Sequence, residues 1–200
     1  AGGAGLDWRT LFLIGGAAPL LLAPLVALKL PETRPHHDPE ADSRLWPALF
    51  GQGRFAPTLL LWLLTGLDLV VTYLLLNWLP TLVVAKGYSA AEGAASALWF
   101  NGFSMVGAIV LGRVADRIGY RIPVILMFVL LAAGLLGLAQ APSALAMLAG
   151  AGVCGFFVVG GAYVLYAMAP DYYPHRLRAL GAGAAVAVGR LGSIAGPALA

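Results

Sequence analysis

Charged side chains are scarce in this chain. They make up 10% of its 200 residues, whereas a soluble domain carries about 25%. Hydrophobic residues reach 60%, and the mean hydropathy is +0.87. So few charges cannot cover the surface of a water-soluble domain. The composition therefore excludes the soluble classes and predicts an integral membrane protein.

Cysteine and metal-ligand clusters are also lacking. Cys154 stands alone in an apolar segment, so it forms no internal disulfide and is expected to be a packing residue. His36, His37 and Asp38 have no second cluster to complete a metal site, which favours a solvated loop. The apolar segments contain no Ser/His, paired-acid or metal constellation. We therefore expect no enzyme activity, no metal and no cofactor.

Basic residues are distributed asymmetrically along the chain. Arg9 and Lys86 fall on one side of the predicted spans, against nine on the other, and the nine are Lys29, Arg34, Arg44, Arg54, Arg113, Arg117, Arg121, Arg176 and Arg178. The positive-inside rule then predicts that loops 30–56, 113–121 and 170–177 are cytoplasmic. The net charge of +3 reports orientation, and no nucleic-acid partner is expected.

Six apolar segments are each near the length that spans about 30 Å of hydrocarbon. They are 10–29, 57–84, 92–112, 122–139, 143–169 and 178–200. Nothing alternates with a period of two, so the expected fold is all-α, a polytopic transmembrane helix bundle. Residues 1–29 are expected to be the last helix of an earlier bundle. Residues 30–56 form a cytoplasmic inter-bundle loop with a short interfacial helix, and 57–200 form a second, incomplete bundle.

Arg190 is the strongest functional signal. It lies twelve residues past Arg178, roughly 18 Å deeper, near the middle of the bilayer. A guanidinium stays charged, so it needs a partner or water at that depth. A stripe of small residues occupies the opposite face of the helix, at Gly181, Ala185, Gly189, Gly192 and Gly196. Arg190 thus either faces a cavity or pairs with another helix.

Further polar residues lie inside the predicted spans. Asp68 is a candidate for proton coupling, but it could equally be a neutral acid bonded to a threonine or a partner of Arg190. Asn101 lies among small residues, which suits either a cavity lining or a bridge between helices. Tyr163 and Tyr166 share one face and could frame a pocket or simply pack in the core.

The segment Gly112–Arg121 matches the pattern G-x-x-x-D-R-x-G-x-R. This resembles the loop signature of the major facilitator superfamily, found after its second and eighth helices. Asp7-Trp8-Arg9, Leu30-Pro31-Glu32-Thr33 and the run Tyr173–Gly183 fit the superfamily in the same order. The resemblance implies helices six to eleven of twelve. Because the chain begins at Ala1 and stops at Ala200, we expect a fragment in which the rest of the N-terminal bundle, helices one to five, and the last helix are missing.

Within the superfamily the chain is similar to the aromatic acid/proton symporters, and most to carriers of 3-hydroxyphenylpropionate. The residues that carry this similarity are Leu59–Trp62, Tyr73, Asn77–Pro80, Leu165–Pro170, Gly181–Gly183 and Gly189–Gly192. The resemblance implies proton-coupled uptake of a small aromatic carboxylic acid across the inner (plasma) membrane. Two bundles would rock about a central cavity in the lipid bilayer.

The resemblance also implies roles for individual residues. Arg190 would bind the substrate carboxylate, and the residues framing the ring would be Asn101, Tyr163, Tyr166, Tyr73 and Asn77. The cytoplasmic gate would comprise Gly112, Asp116, Arg117, Gly119, Arg121 and Arg178. In it, Asp116 would pair with Arg178 and separate on inward opening, although Asp116 could also simply cap a helix.

Two other functions remain open at this stage. A sugar or polyol porter of the same superfamily also tolerates the Pro31-Glu32-Thr33-Arg34 segment. A membrane sensor built on a transporter fold would bind its ligand without moving it. Substrate competition and transport in proteoliposomes separate these alternatives from an aromatic acid carrier.

Overall fold

The computed structural model describes residues 8–29 and 45–199. Every regular element in this part of the chain is helical, which confirms the all-α prediction. The α-helices are α1 (Trp8–Lys29), α2 (Leu45–Phe50), α3 (Phe55–Ala85), α4 (Ala90–Ile118), α5 (Arg121–Ala139), α6 (Ala144–Met168) and α7 (Arg178–Ala198). Two short 3-10 helices, Ala169–Tyr172 and His175–Leu177, link α6 to α7.

The chain divides into two compact units, Ala1–Glu40 and Ala41–Ala200. The first contains α1, which coincides with the span predicted at 10–29, and its apolar run covers Gly15–Pro24. The predicted connector 30–56 is described only from residue 45 onward, where α2 confirms a short helix and belongs to the second unit. Three predicted features lie outside the described residues: Asp7 of the Asp7-Trp8-Arg9 motif, the segment 30–34 and the cluster His36–Asp38.

Among the described residues of the second unit, five helices are long and apolar enough to cross a membrane. They are Phe55–Ala85, Ala90–Ile118, Arg121–Ala139, Ala144–Tyr172 and His175–Ala198. Each overlaps one of the predicted spans, so the number and order of the spans in this unit are confirmed. The positions follow from the apolar runs, because in lipid a helix satisfies its own backbone hydrogen bonds.

One predicted boundary is wrong. The turn containing the Gly112–Arg121 motif was expected to begin at residue 113, but α4 continues for six more residues to Ile118. The helix ends at Gly119, whose φ of +82° suits glycine. The charged side chains of the motif do not stop the helix, because they are acceptable in a helix that has left the hydrocarbon.

Glycines allow α4 and α6 to pack closely. A methyl group at Gly155 would overlap the backbone carbonyl of Phe100, and one at Gly107 would overlap that of Phe156. Gly160 lies directly against the Gly107 backbone. Such contact between backbones is a common way for helices to associate in lipid, where the solvent itself is apolar.

The stripe of small residues on α7 is buried, and most of it packs against α3. Its five members Gly181, Ala185, Gly189, Gly192 and Gly196 are the buried residues of α7. Gly192 faces the Gly66 backbone, and Gly196 faces that of Val70. At one end of this contact the indole Nε1 of Trp78 donates to the Pro197 carbonyl over 3.0 Å. α7 is thereby fixed in rotation, which decides where Arg190 points.

Hydrogen bonds fix the ends of the bundle. At the end of the bundle that carries the Gly112–Arg121 motif, the Thr58 hydroxyl donates to the Leu49 carbonyl over 2.8 Å and lies 3.0 Å from the Tyr173 hydroxyl. These contacts connect α2, α3 and the α6–α7 link. At the opposite end Ser89 and Glu92 form a capping box that starts α4. These hydrogen bonds therefore fix both ends of the helices, and the candidate site residues lie between the two ends.

Candidate functional site

Arg190 is exposed on the face of α7 opposite the buried stripe. Its Nη1 donates a hydrogen bond of 2.8 Å to the phenolic oxygen of Tyr73 on α3. Within the described part of the chain, no carboxylate forms an ion pair with Arg190. A guanidinium has five N–H donors, so the bond to Tyr73 leaves donors for an anion. Arg190 is thus both exposed and hydrogen-bonded to a neighbouring helix.

Two tyrosines of α6 lie close to this pair. The rings of Tyr163 and Tyr166 are 6.4 Å apart and nearly perpendicular. The Tyr166 hydroxyl is near enough to interact electrostatically with Arg190, Tyr73 and Tyr163. Tyr163 is 56% exposed, whereas Tyr166 is partly buried. The structure thus brings together four of the predicted site residues from three helices.

The two asparagines are less closely connected to this group. Asn77 lies one turn along α3 from Tyr73, and its Nδ2 donates to the Tyr73 carbonyl over 2.7 Å. Asn101 is exposed on α4 and donates to the Ala97 carbonyl of its own helix over 2.8 Å. In the described residues no hydrogen bond joins Asn101 to the tyrosines or to Arg190. Its bridging role between helices is likewise not observed.

Asp68 is fully buried on α3, with 0% exposure. Neither carboxyl oxygen has a hydrogen-bond partner in the described part of the chain. The Thr65 hydroxyl donates instead to the Leu61 carbonyl. The Thr72 hydroxyl is buried and has no hydrogen-bond partner among the residues that the structure describes. The threonine-bonded and Arg190-paired interpretations are therefore not seen in this structure. The Asp68 carboxyl does interact electrostatically with the Tyr166 hydroxyl.

The predicted pairing within the gate differs from the structure. Arg178 Nη2 lies 3.9 Å from Asp171 Oδ1, and among the described residues it forms no ion pair with Asp116. Asp171 is the closer partner for Arg178 because it lies in the short link that leads directly into α7. Asp116 lies in the last turn of α4. Both side chains of the pair are about half exposed, so it adds little stability. Of the remaining gate positions, Gly112 is partly buried and the others, Arg117, Gly119 and Arg121, are exposed.

Asp171 is a site residue that the sequence interpretation missed. Partial burial raises the pKa of Tyr120 above its ordinary value, and Asp171 raises it further through its charge and a hydrogen bond. The charge of Asp116 acts in the same direction. Tyr120 therefore lies next to both acids and connects the α4–α5 turn to the α6–α7 link. The sequence signal that could have identified this pair is an acid, Asp171, only seven residues before a base, Arg178.

A groove between α3, α5 and α6 lies away from this site. Its volume is about 290 Å³, and its lining is apolar except for Lys86, whose Nζ donates to the carbonyls of Leu138 and Ala139. Neither Arg190 nor the tyrosines line it. It offers no match for an organic anion, so the site remains the exposed face around Arg190.

The chain belongs to the major facilitator superfamily, a class of membrane transporters, since the family model matches residues 1–197. Together with the five apolar helices, this makes it a multi-pass protein of the inner membrane. No solved structure matches the chain.

Several curated relatives are transporters of aromatic acids. The chain is 39% identical over 198 residues to the 3-(3-hydroxy-phenyl)propionate transporter of Escherichia coli (strain K12), covering 99% of this chain and 49% of the relative. It is 31% identical to the gallate transporter of Pseudomonas putida (94% and 49%). It is 30% identical to the 4-hydroxybenzoate transporter PcaK of Pseudomonas aeruginosa (94% and 50%). The chain spans about half the length of these relatives.

Proposed function

We propose that this chain forms part of a carrier that takes up aromatic carboxylic acids together with protons by alternating access. The named substrates of the three relatives, a phenylpropionate, gallate and 4-hydroxybenzoate, are all carboxylic acids on an aromatic ring. Such a substrate has two recognisable parts, an anionic carboxylate and a flat ring. The candidate site contains a group suited to each part.

The observation that carries the proposal is the placement of Arg190. A charge near the middle of the bilayer costs at least about 3 kcal/mol, so its presence calls for a function. Arg190 is oriented by Tyr73 and keeps donors that can form a bidentate pair with a carboxylate. A permanent positive charge on a face away from the helix packing is suited to attract an organic anion.

The tyrosines of α6 would recognise the ring. Tyr163 and Tyr166 stand edge to face beside Arg190. Aromatic rings prefer such offset and perpendicular contacts, and a phenol can also bond a substrate hydroxyl. Asn77 and Asn101 would extend this lining, each on an exposed face of its own helix.

Alternating access requires contacts that form in one facing state and break in the other. Asp116, Arg117 and Arg121 with Gly112 and Gly119 surround the end of α4, and Arg178 begins α7. We propose that these residues act as the cytoplasmic gate and that Arg178 exchanges Asp171 for Asp116 between states. A weak, exposed ion pair is suited to such an exchange because breaking it costs little.

Substitution of Arg190 tests the binding role. In proteoliposomes with a full-length carrier that contains this sequence, Arg190→Ala should lower uptake of labelled 3-(3-hydroxyphenyl)propionate at least about 100-fold, since two charge-assisted hydrogen bonds together contribute about 3 kcal/mol. Arg113→Ala is the matched control, because Arg113 is exposed and, among the described residues, its hydrogen bond of 3.4 Å goes to its own helix. Normal uptake by Arg190→Ala would refute the proposal.

Competition separates the aromatic acid carrier from a sugar or polyol porter. Benzoate and gallate should displace the labelled substrate, whereas xylose and glucose should not. Displacement by sugars would favour the porter. Binding of the labelled acid without any accumulation in the vesicles would favour a sensor over a carrier.

A further inference from the structure

Asp68 is a buried carboxyl that does not bind the substrate in the proposed site. It lies thirteen residues into α3, roughly 20 Å along the helix axis, and is fully buried. Both oxygens lack hydrogen-bond partners among the described residues. Most buried polar groups in folded proteins are bonded, so an unbonded carboxyl calls for an explanation.

The groups facing Asp68 offer its ionised form little compensation. From α6 the facing groups are Tyr166 and, beyond it, Tyr163. Tyr166 in turn interacts with Arg190 of α7, which is held by Tyr73 of α3 itself. α4 and α5 contribute no titratable side chain between residues 93 and 112 or between 122 and 139. Towards the α2 end of α3, Tyr173 bonds Thr58, ten residues away from Asp68. A carboxylate in such surroundings is costly, so its neutral form is favoured until water or a cation reaches it.

Tyr166 connects this acid to the binding site. Its hydroxyl interacts electrostatically with Asp68 and with Arg190. The carboxyl and the guanidinium come from different helices, α3 and α7, and the phenol of α6 is close to both. A change in the net charge at Arg190 therefore changes the electrostatic potential at the Tyr166 hydroxyl, which also interacts with Asp68. An aromatic acid that binds Arg190 makes such a change, because its carboxylate neutralises the guanidinium.

We propose that Asp68 carries the transported proton and that Tyr166 links its protonation to the occupancy of Arg190. The inference rests on the proposed function and adds the proton site to it. With the substrate bound, the positive potential that favours a carboxylate at Asp68 falls, so the proton stays on. By linkage, protonation of Asp68 strengthens substrate binding by the same factor. Substrate and proton therefore load together and leave together.

The proton step involves no electron transfer. An O–H bond forms between a carboxylate oxygen of Asp68 and a proton delivered by water on the side of higher proton concentration. After the carrier changes its facing state and the substrate leaves, the freed Arg190 again favours the carboxylate. The O–H bond then breaks, and the proton passes to water on the other side.

The test compares driven accumulation with exchange, using a full-length carrier containing this sequence in proteoliposomes and labelled 3-(3-hydroxyphenyl)propionate. Asp68→Asn should lose accumulation driven by an imposed pH gradient, falling to an inside-to-outside ratio of about 1, because no proton is carried. Exchange of labelled for unlabelled substrate needs no net proton movement and should persist within about twofold. Asp68→Glu, which keeps a titratable carboxyl, should retain accumulation.

Glu92→Gln is the matched control. It also converts an acid to an amide, but at the start of α4, where glutamine can maintain the capping box, so accumulation should equal that of wild type. Wild-type accumulation by Asp68→Asn would overturn the inference, and so would loss of exchange in both Asp68 variants. If instead Arg190→Ala transports normally, the proposed function itself fails, whatever Asp68 does.

A second measurement does not depend on transport by a variant. The purified wild-type carrier in weakly buffered detergent solution is mixed with 3-(3-hydroxyphenyl)propionate in the presence of a pH indicator, from neutral to alkaline pH. At some pH in this range binding should take up protons, to at most about one per substrate. Absence of uptake at every pH would overturn the inference. Tyr166→Phe should reduce the maximum uptake, because the linking phenol is removed.

Discussion

The contact between α3 and α7 gives a prediction that the packing itself determines. In Gly192→Ala the new methyl group would overlap the carbonyl oxygen of Gly66 and lie 3.2 Å from a methyl of Val70. The carbonyl belongs to a helix backbone and cannot move without shifting α3. Overpacking of this kind costs about 1–3 kcal/mol. The change should destabilise the bundle and displace the helix that carries Arg190.

Gly183 provides a control on the same helix. A methyl group there meets nothing within 4 Å. Gly183→Ala and Gly192→Ala share the gain of about 1 kcal/mol that alanine has over glycine in a helix, so this gain cancels when they are compared. The difference in the free energy of unfolding between the two variants should thus be about 1–3 kcal/mol, with Gly192→Ala the less stable.

The assay is denaturant unfolding of a full-length carrier containing this sequence in detergent micelles, followed by circular dichroism. Wild type and both variants are measured at the same detergent concentration. Equal stability of the two variants, or a less stable Gly183→Ala, would refute the packing of the small-residue stripe on α3. In that case the orientation assigned to Arg190 would lose its support.

Two further predictions concern single hydrogen bonds. Tyr73→Phe removes the phenolic hydroxyl that orients Arg190. The KM for uptake should therefore rise about fivefold, equivalent to about 1 kcal/mol, while kcat stays within about twofold of wild type. An unchanged KM would show that Arg190 needs no such orientation. For Tyr120, the raised pKa means that its contribution to stability is present below the ordinary pKa of 10.0 and is lost as pH rises through the higher folded-state pKa. The phenolate signal of Tyr120 is the difference between the absorbance titrations of wild type and Tyr120→Phe, and it should appear above pH 10.0. Asp171→Asn should lower the midpoint of this signal. An unchanged midpoint would contradict the contact between Tyr120 and Asp171.

Much of the fold could be predicted from the sequence because its signals are local. An apolar run of about 20 residues must become a helix in lipid, so the spans could be placed without knowledge of their neighbours. The α7 stripe was predicted from the 3.6-residue period, and the same five residues are buried. The face of α7 that carries Arg190 then follows by exclusion. The end of α4 was missed because charged residues outside the hydrocarbon do not terminate a helix.

The partners within the site could not be predicted, because they depend on how helices are rotated and shifted against one another. The sequence placed Arg190 near the middle of the bilayer and left open whether Asp68 would be its partner. The packing brings Tyr73, not Asp68, to Arg190. At the end of α7 it brings Asp171, not Asp116, to Arg178.

The sequence by itself thus determined the membrane class, the helices, the superfamily and the face on which Arg190 lies. Each of these depends on composition, on a motif or on the period of a single helix. The tertiary structure alone decided that the buried acid has no partner among the described residues and that Tyr166 lies near both charges. These are relations between helices far apart in the chain, and close contacts between glycine backbones fix them.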